Sequence, residues 1–370
     1  MAVSPLSNVF KPSISVTWGR EPLNRFLVFV GREFLMPTVA GGARQGEPGH
    51  HRMWPWKKIG LVFLLLVIVS VVCTSLWPLT VLRTAGRFAL WGGGIHSEYA
   101  QVGPYRVHYF EGGKGPPLIF VHGLEGESLN WIQQMLDLRS RFHVYAIDLL
   151  GHGQTQQPDI AYSIEQQSEM LRQFLATQNI KSADLVGISM GGWIVLKLAS
   201  EHPEVVNRLV IADSAGLKFQ TNLNARTFLS RTPDELTAFM AVLTPRQYHL
   251  PYIVSRDLMH QFAERAWITR RIFDSMLTYQ NVLDGKLQGI NIPVLIIWGK
   301  EEKLIPMSVG EQMKQELPHS SLLVCTDSGH LAVYECWKKL EPEVIEFLSS
   351  PAPPVPHVHE FAMGNGAAAQ

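Results

Sequence analysis

A serine held between glycines is the first point in this chain where chemistry is legible. The pentapeptide Gly187-Ile188-Ser189-Met190-Gly191 carries little weight alone. Its setting adds weight. Asp184-Leu185-Val186 reads as a strand before it, and Gly192-Trp193-Ile194-Val195-Leu196 as a helix after it. A serine at such a junction sits on a sharp turn with no room for nearby side chains, and Gly187 and Gly191 leave that room free. The helix N-terminus behind the turn favours developing negative charge. The blander alternative is a glycine-rich turn with an idle hydroxyl.

A serine hydroxyl attacks only when a base takes its proton. The chain has 14 histidines, so position must choose among them. His330 lies in Asp327-Ser328-Gly329-His330, after the last expected core strand, and a serine–acid–histidine order places the base last. His122 and His152 fall in glycine turns and read as loop-shaping residues. The third member is a buried carboxylate that orients the imidazole and stabilises its charged form. Two positions compete: Glu302, in Trp298-Gly299-Lys300-Glu301-Glu302, and Asp213, in Ile211-Ala212-Asp213-Ser214. Chain order favours Glu302, with Asp213 as the alternative acid. Either could instead be a loop carboxylate satisfied by backbone amides. An oxyanion needs two N–H donors. The backbone of Met190, next to the serine, is one; Leu124, in His122-Gly123-Leu124-Glu125-Gly126, is the expected other.

These residues need elements to position them. Between residues 98 and 349 short apolar runs alternate with helical stretches. Strands are expected at 102–110, 118–121, 142–147, 184–188, 209–212, 294–298 and 321–325, and helices at 164–177, 191–200, 308–316 and 331–348. Such alternation, with unbroken apolar strands, argues a mostly parallel sheet covered by helices on both faces. In such sheets chemistry collects beyond the C-terminal ends of strands, which is where the candidate residues fall.

At these residues the chain resembles the α/β-hydrolase superfamily over residues 98–349. His122-Gly123, Asp148-Leu149-Leu150-Gly151-His152-Gly153, Gly187 to Gly191 and Gly329-His330 stand in the family's order and spacing. An N-terminal apolar span and Asp213-Ser214-Ala215-Gly216-Leu217 make it similar to the membrane-anchored monoacylglycerol lipase-type branch. Trp298-Gly-Lys-Glu-Glu-Lys-Leu-Ile-Pro matches that branch's acid loop with one departure: Glu302 stands where Asp is usual. The longer side chain must retract, which keeps Asp213 in play. The resemblance implies an α/β-hydrolase fold whose core is 98–213 and 290–349.

The interval 214–289 is too long for a simple connection and is expected to be a helical cap. Thr232-Pro233-Asp234-Glu235 reads as an N-cap and the first helical residues of a helix ending at Leu243. Phe219, Phe228, Phe239, Met240, Tyr248, Tyr252, Phe262, Trp267, Phe273 and Met276 enrich the insert in large apolar side chains. Most are expected to glue cap to core, and some to line an acyl pocket over Ser189.

From Ile59 to Leu82 no residue is charged, a length that spans the ~30 Å hydrocarbon layer of a membrane. Trp54, Trp56, Lys57 and Lys58 before it, and Trp77, Arg83 and Arg87 after it, suit the two interfaces. A transmembrane helix over 59–82 is therefore expected. Basic residues are commoner on its N-terminal side, which points to a cytoplasmic N-terminus and a catalytic part on the opposite side. Residues 1–52 lack a sustained period and read as a disordered extension, with Met53 an alternative start. Residues 351–370 read as a flexible tail.

The balance of 32 basic and 32 acidic residues gives no electrostatic footprint for nucleic acid. Cys73, Cys325 and Cys336 form neither a disulfide framework nor a zinc pattern. The expected function is therefore a serine hydrolase acting on carboxylic esters, monoacylglycerol-like lipids first, through an acyl-enzyme on Ser189. It requires no metal or organic cofactor, and its partners are an amphiphilic ester and a membrane. Two alternatives stand beside it: a C–C bond hydrolase of ring-cleavage products using the same residues, and a non-catalytic binding protein on this fold.

Overall fold

The computed structural model describes residues 55–221, 225–350 and 357–362. The N-terminal extension 1–52 lies outside the described residues, as does most of 351–370. The chain divides into two compact units, Met1–Gly60 and Leu61–Gln370. The described part of the first is the start of helix α1, Pro55–Leu76.

The described strands are β1 (Ile95–Val102), β2 (Tyr105–Gly113), β3 (Pro117–Val121), β4 (His143–Ile147), β5 (Ala183–Ile188), β6 (Val206–Ala212), β7 (Val294–Gly299), β8 (Ser320–Cys325) and β9 (Val358–Phe361). They form one sheet in the order β1-β2-β4-β3-β5-β6-β7-β8-β9. β2 runs antiparallel to both β1 and β4, and every other neighbouring pair is parallel. Side chains alternate between two apolar layers. Leu209 and Ile211 of β6 enter one, Val210 and Ala212 the other. Burial on both faces explains why these strands read as unbroken apolar runs.

Helices α2 (Pro78–Gly92), α3 (Ile132–Leu138), α4 (Ile164–Thr177) and α5 (Met190–Glu201) cover the first half of the sheet. The limits of α4 match the expectation because Ser163 caps it: its hydroxyl accepts from Gln166 N–H while the Gln166 side chain accepts from Ser163 N–H. The insert contributes α6 (Pro233–Leu243) and α7 (Tyr252–Leu277), and α8 (Met307–Glu316), α9 (Ala332–Glu335) and α10 (Trp337–Ser349) complete the chain. Thr232 caps α6 as its sequence indicates, with its hydroxyl accepting from Glu235 N–H at 3.2 Å.

Three expectations need correction. The apolar run does not continue as one helix to Leu82. Pro78 has no N–H to bond back to the preceding turn, so α1 ends at Leu76 and Pro78 opens α2. The expected helix 331–348 is two helices, with Cys336 at the corner between them. Finally, the tail is not structureless throughout, because Val358–Phe361 adds to β8 as an edge strand. Its side chains are largely exposed, so it leaves no hydrophobic period; backbone pairing places it.

The stretch Lys58–Leu76 is long and apolar enough to cross a membrane, and none of it is buried in the protein. Arg256 of α7 donates to the last carbonyls of α1, Ser75 at 3.2 Å and Leu76 at 2.9 Å. Its neighbour Asp257 accepts from Leu79 N–H at the start of α2, at 3.0 Å. Each charge suits the helix end it meets. Arg83, which follows the span, pairs with Glu127 at 2.6 Å.

Candidate active site

Ser189 stands between β5 and α5 with φ 55° and ψ −119°, a conformation a non-glycine residue holds only when its surroundings impose it. Its N–H donates to Ala212 O at 2.9 Å, and its carbonyl accepts from Trp193 and Ala215 N–H, both at 3.2 Å. The flanking glycines are there for close approach. A Cβ on Gly187 would lie 2.5 Å from Gly191 O, and one on Gly191 would lie 2.3 Å from Val121 O. Both obstacles are backbone and cannot step aside cheaply. Gly191→Ala is expected to lower stability by about 1–3 kcal/mol or more, read as a fall in Tm on thermal unfolding. A Tm unchanged from the parent would show that this turn is looser than its contacts imply.

Beyond β7 and β8, two loops are joined by backbone bonds from Lys300 N–H to Cys325 O and from Glu301 N–H to Ser328 O, both 2.9 Å. This pairing brings Glu302 and His330 together. His330 Nδ1 lies 2.6 Å from Glu302 Oε2, with the Glu302 side chain fully buried. The other carboxylate oxygen accepts from Leu304 N–H at 2.5 Å and Ile305 N–H at 3.2 Å. Those two amides hold the longer side chain folded back, so glutamate reaches the imidazole without overshooting it. Burial alone would lower the His330 pKa, but the Glu302 charge and hydrogen bond outweigh it and raise the value above the ordinary imidazole range.

Asp213 is also fully buried but does not bond to His330. Its Oδ1 accepts from Gly299 N–H at 2.8 Å and its Oδ2 from Ala332 N–H at 3.3 Å. It thus ties the Glu302 loop to the helix that follows His330. Burial and the nearby Glu302 charge raise its pKa.

The other two glycine-turn histidines shape loops. His122 Nδ1 donates to Gly123 O at 2.7 Å, and its Nε2 accepts from Leu149 N–H at 3.1 Å. Burial lowers the pKa of both His122 and His152, the latter to about 3, which keeps them neutral. The turn after His122 closes by Gly126 N–H to Gly123 O at 3.1 Å, with Glu125 at φ 60°. That bond does not use the Leu124 N–H. Met190, the first residue of α5, likewise has no intrahelical acceptor for its N–H.

Two cavities meet at Ser189. One, about 700 Å³ counting its mouth, is lined by Met190, Trp193, Phe219, Phe273 and Met276 among others. The second, about 960 Å³ on the same basis, includes Gly123, Phe239, Met240, Phe262 and His330. Leu124, Ser189, Phe228 and Leu304 belong to both walls. Of the ten large apolar side chains singled out in the insert, seven line one cavity or the other, and Tyr248, Tyr252 and Trp267 line neither. More of the insert therefore faces the site than expected. Phe228, Phe239, Phe262 and Phe273 are buried in the core layer and line a cavity at once. The anchoring amides of Leu304 and Ile305 and the second cavity left no trace in the sequence.

Residues 116–249 and 247–335 match the family described as alpha/beta hydrolase fold, more than half the chain. This chain is an α/β hydrolase. Among curated proteins the hydrolase is 23% identical to monoacylglycerol lipase ABHD6 of Homo sapiens, over 77% of this chain and 91% of the relative. It is 26% identical to 2-hydroxy-6-oxo-6-(2'-aminophenyl)hexa-2,4-dienoic acid hydrolase of Metapseudomonas resinovorans, over 68% of this chain and 90% of that one. Among solved structures it superposes on a bacterial membrane phospholipase A with a TM-score of 0.68 at 27% identity, covering 79% of this chain and 97% of the other. The hydrolase thus has lipase relatives, and both a ring-cleavage hydrolase and a membrane enzyme stand among its neighbours.

Proposed function

We propose that this protein is a membrane-anchored serine hydrolase of carboxylic esters with lipid acyl chains, monoacylglycerol-like esters included. Ser189 Oγ attacks the ester carbonyl as His330 Nε2 takes its proton, while Glu302 holds the imidazole in the tautomer that leaves Nε2 free to accept. The N–H groups of Met190 and Leu124 receive the oxyanion. On collapse the ester C–O bond breaks, and His330 returns the proton to the leaving alcohol. Water then repeats the sequence on the acyl-enzyme, releasing the acid and restoring Ser189. No step calls for a metal or organic cofactor.

The observation that carries this reading is the buried 2.6 Å Glu302–His330 pair opening into the cavity that also holds the strained Ser189. The apolar cavity beyond Met190 suits an acyl chain. The α1 span supports membrane attachment, as does the outward face of α2, where Leu82, Phe88 and Trp91 are each at least 60% exposed. The excess of basic residues before the span supports a catalytic domain on the side opposite the N-terminus.

The ring-cleavage relative supports a second reading, C–C bond hydrolysis with the same residues. Its substrate name specifies a carboxylic acid, and among the described residues neither cavity is lined by Arg or Lys to meet that charge. Ester hydrolysis is favoured on that ground.

Purified full-length protein in mixed micelles is expected to release oleate from oleoyl esters and to be labelled by a fluorophosphonate probe on the Ser189 peptide. Faster cleavage of a vinylogous diketone than of any ester would replace this reading with the C–C one. Folded protein that neither takes the label nor turns over either substrate class would be a binding protein.

A further inference from the structure

We propose that Glu335 is a positioning residue that fastens the cap to the loop of His330, so that the imidazole is held in place for Ser189 only while the cap is seated. This deepens the ester-hydrolase reading and rests on it. Glu335 ends α9, shortly after His330, and its side chain is only 5% exposed. Its carboxylate joins two parts of the chain far apart in sequence. Oε2 accepts from the hydroxyl of Ser328, in the His330 loop, at 2.5 Å. Oε1 accepts from the hydroxyl of Thr244, the residue after α6 in the cap, at 2.6 Å. Tyr248 OH at 3.5 Å and Arg246 Nε at 3.8 Å reach the same oxygen from the cap side. No catalytic step uses any of these groups.

Each arm is anchored beyond the side chain that makes it. Ser328 O accepts from Glu301 N–H at 2.9 Å, one of the bonds that bring the Glu302 loop beside His330. Gly329, between Ser328 and His330, lies against the end of α6. A Cβ there would lie 2.8 Å from Leu243 O and 3.3 Å from Thr244 Cα. On the cap side, the Thr244 hydroxyl also accepts from Arg246 N–H at 3.1 Å, which leaves its own proton for Glu335. Phe239, Met240 and Leu243 of α6 line the cavity that His330 also lines. One carboxylate therefore holds both a wall of that cavity and the loop of the base.

An apolar side chain of the same length could fill this space without the cost of burying a charge. It could not fix two hydroxyls in set directions, whereas short bonds from O–H to a carboxylate are of the strong, directional kind. Direction matters here because a small displacement of a catalytic group costs rate steeply. Asp213 ties the region to the sheet through Gly299 and Ala332. Glu335 ties it to the cap.

The test uses the full chain with methyl oleate in mixed micelles, together with the rate at which a fluorophosphonate labels Ser189, each variant being assayed well below its own Tm. Glu335→Met keeps the length of the side chain and removes both acceptors. It is expected to lower kcat and the labelling rate by about tenfold or more, with KM changed less than about threefold. Glu335→Gln, whose amide can accept from one hydroxyl and donate to the other, is expected to restore most of that loss. Thr244→Val and Ser328→Ala are each expected to lower kcat, and together by less than the product of the two losses. In the Glu335→Met protein each should add less than about twofold. Thr244 and Ser328 bond to the carboxylate and not to each other, so this non-additivity reads the link between them. It also carries the test if Glu335→Met does not fold. A Glu335→Met kcat within about twofold of the parent, equal losses in the Met and Gln variants, or full additivity of Thr244→Val and Ser328→Ala would overturn the inference. Turnover by the parent would leave the ester-hydrolase reading standing in each case. Folded parent that neither cleaves methyl oleate nor takes the label would strike that reading, and this inference with it.

Discussion

Ser189→Ala is expected to reduce ester turnover by at least about 10⁴-fold and to abolish fluorophosphonate labelling, with the fold intact. Alanine keeps the Cβ and removes only the Oγ, so the turn at φ 55° is no more strained than before. The backbone bonds that hold position 189, to Ala212, Trp193 and Ala215, use no side-chain atom. A Tm within a few degrees of the parent is therefore expected, and it separates loss of the nucleophile from loss of structure. The residual rate reports what the oxyanion donors and the two cavities achieve with water as nucleophile. Retention of a tenth or more of the parent turnover, or a label that persists on another residue, would remove Ser189 from its assigned role.

How much of this could be read from residues alone depends on what kind of interaction fixes each part. The central strands were legible because they are buried on both faces and are apolar at nearly every position, Asp184 of β5 excepted; β3, β5 and β7 fall within one residue of expectation. Helix α4 was legible because its start is written locally in Ser163 and Gln166. The edges were not. β1 exposes His96 through Tyr99, and β9 exposes Val358 through Glu360, so neither leaves the period of a half-buried strand. The break at Pro78 was visible as a residue but masked by the unbroken apolar run around it.

The site divides in the same way. The Ser189 turn is a local event, set by Gly187 and Gly191 meeting backbone that the strand–helix geometry brings near. Pairing of Glu302 with His330 depends on two loops zipped together beyond neighbouring strands, and sequence order could rank the acids without deciding between them. What distinguishes them is the partner of each oxygen. Asp213 spends both oxygens on Gly299 and Ala332 amides, whereas Glu302 spends one on Leu304 and Ile305 and keeps the other for the imidazole.

That division of partners makes the second large effect specific. Glu302→Gln is expected to lower kcat by about 10³–10⁴-fold. The amide oxygen of glutamine must face the N–H groups of Leu304 and Ile305, because its NH₂ cannot accept from them. The NH₂ then faces His330 Nδ1, which can no longer carry its own proton there. Imidazole is driven to the tautomer with Nε2 protonated, and that ring cannot take a proton from Ser189. Asp213→Asn disturbs a different function. It turns one acceptor against a backbone N–H and should cost about 1–3 kcal/mol of stability, with kcat falling less than tenfold. The pH profile supplies an independent sign. His330 must be neutral to act as base, so the rate falls as pH drops through its pKa, which Glu302 holds above the ordinary imidazole value. Removing the Glu302 charge should move the acid limb of the residual kcat/KM profile to lower pH, whereas Asp213→Asn, whose carboxylate raises that pKa less, should move it less. A larger kcat loss in Asp213→Asn than in Glu302→Gln, with the larger acid-limb shift alongside it, would transfer the orienting role to Asp213.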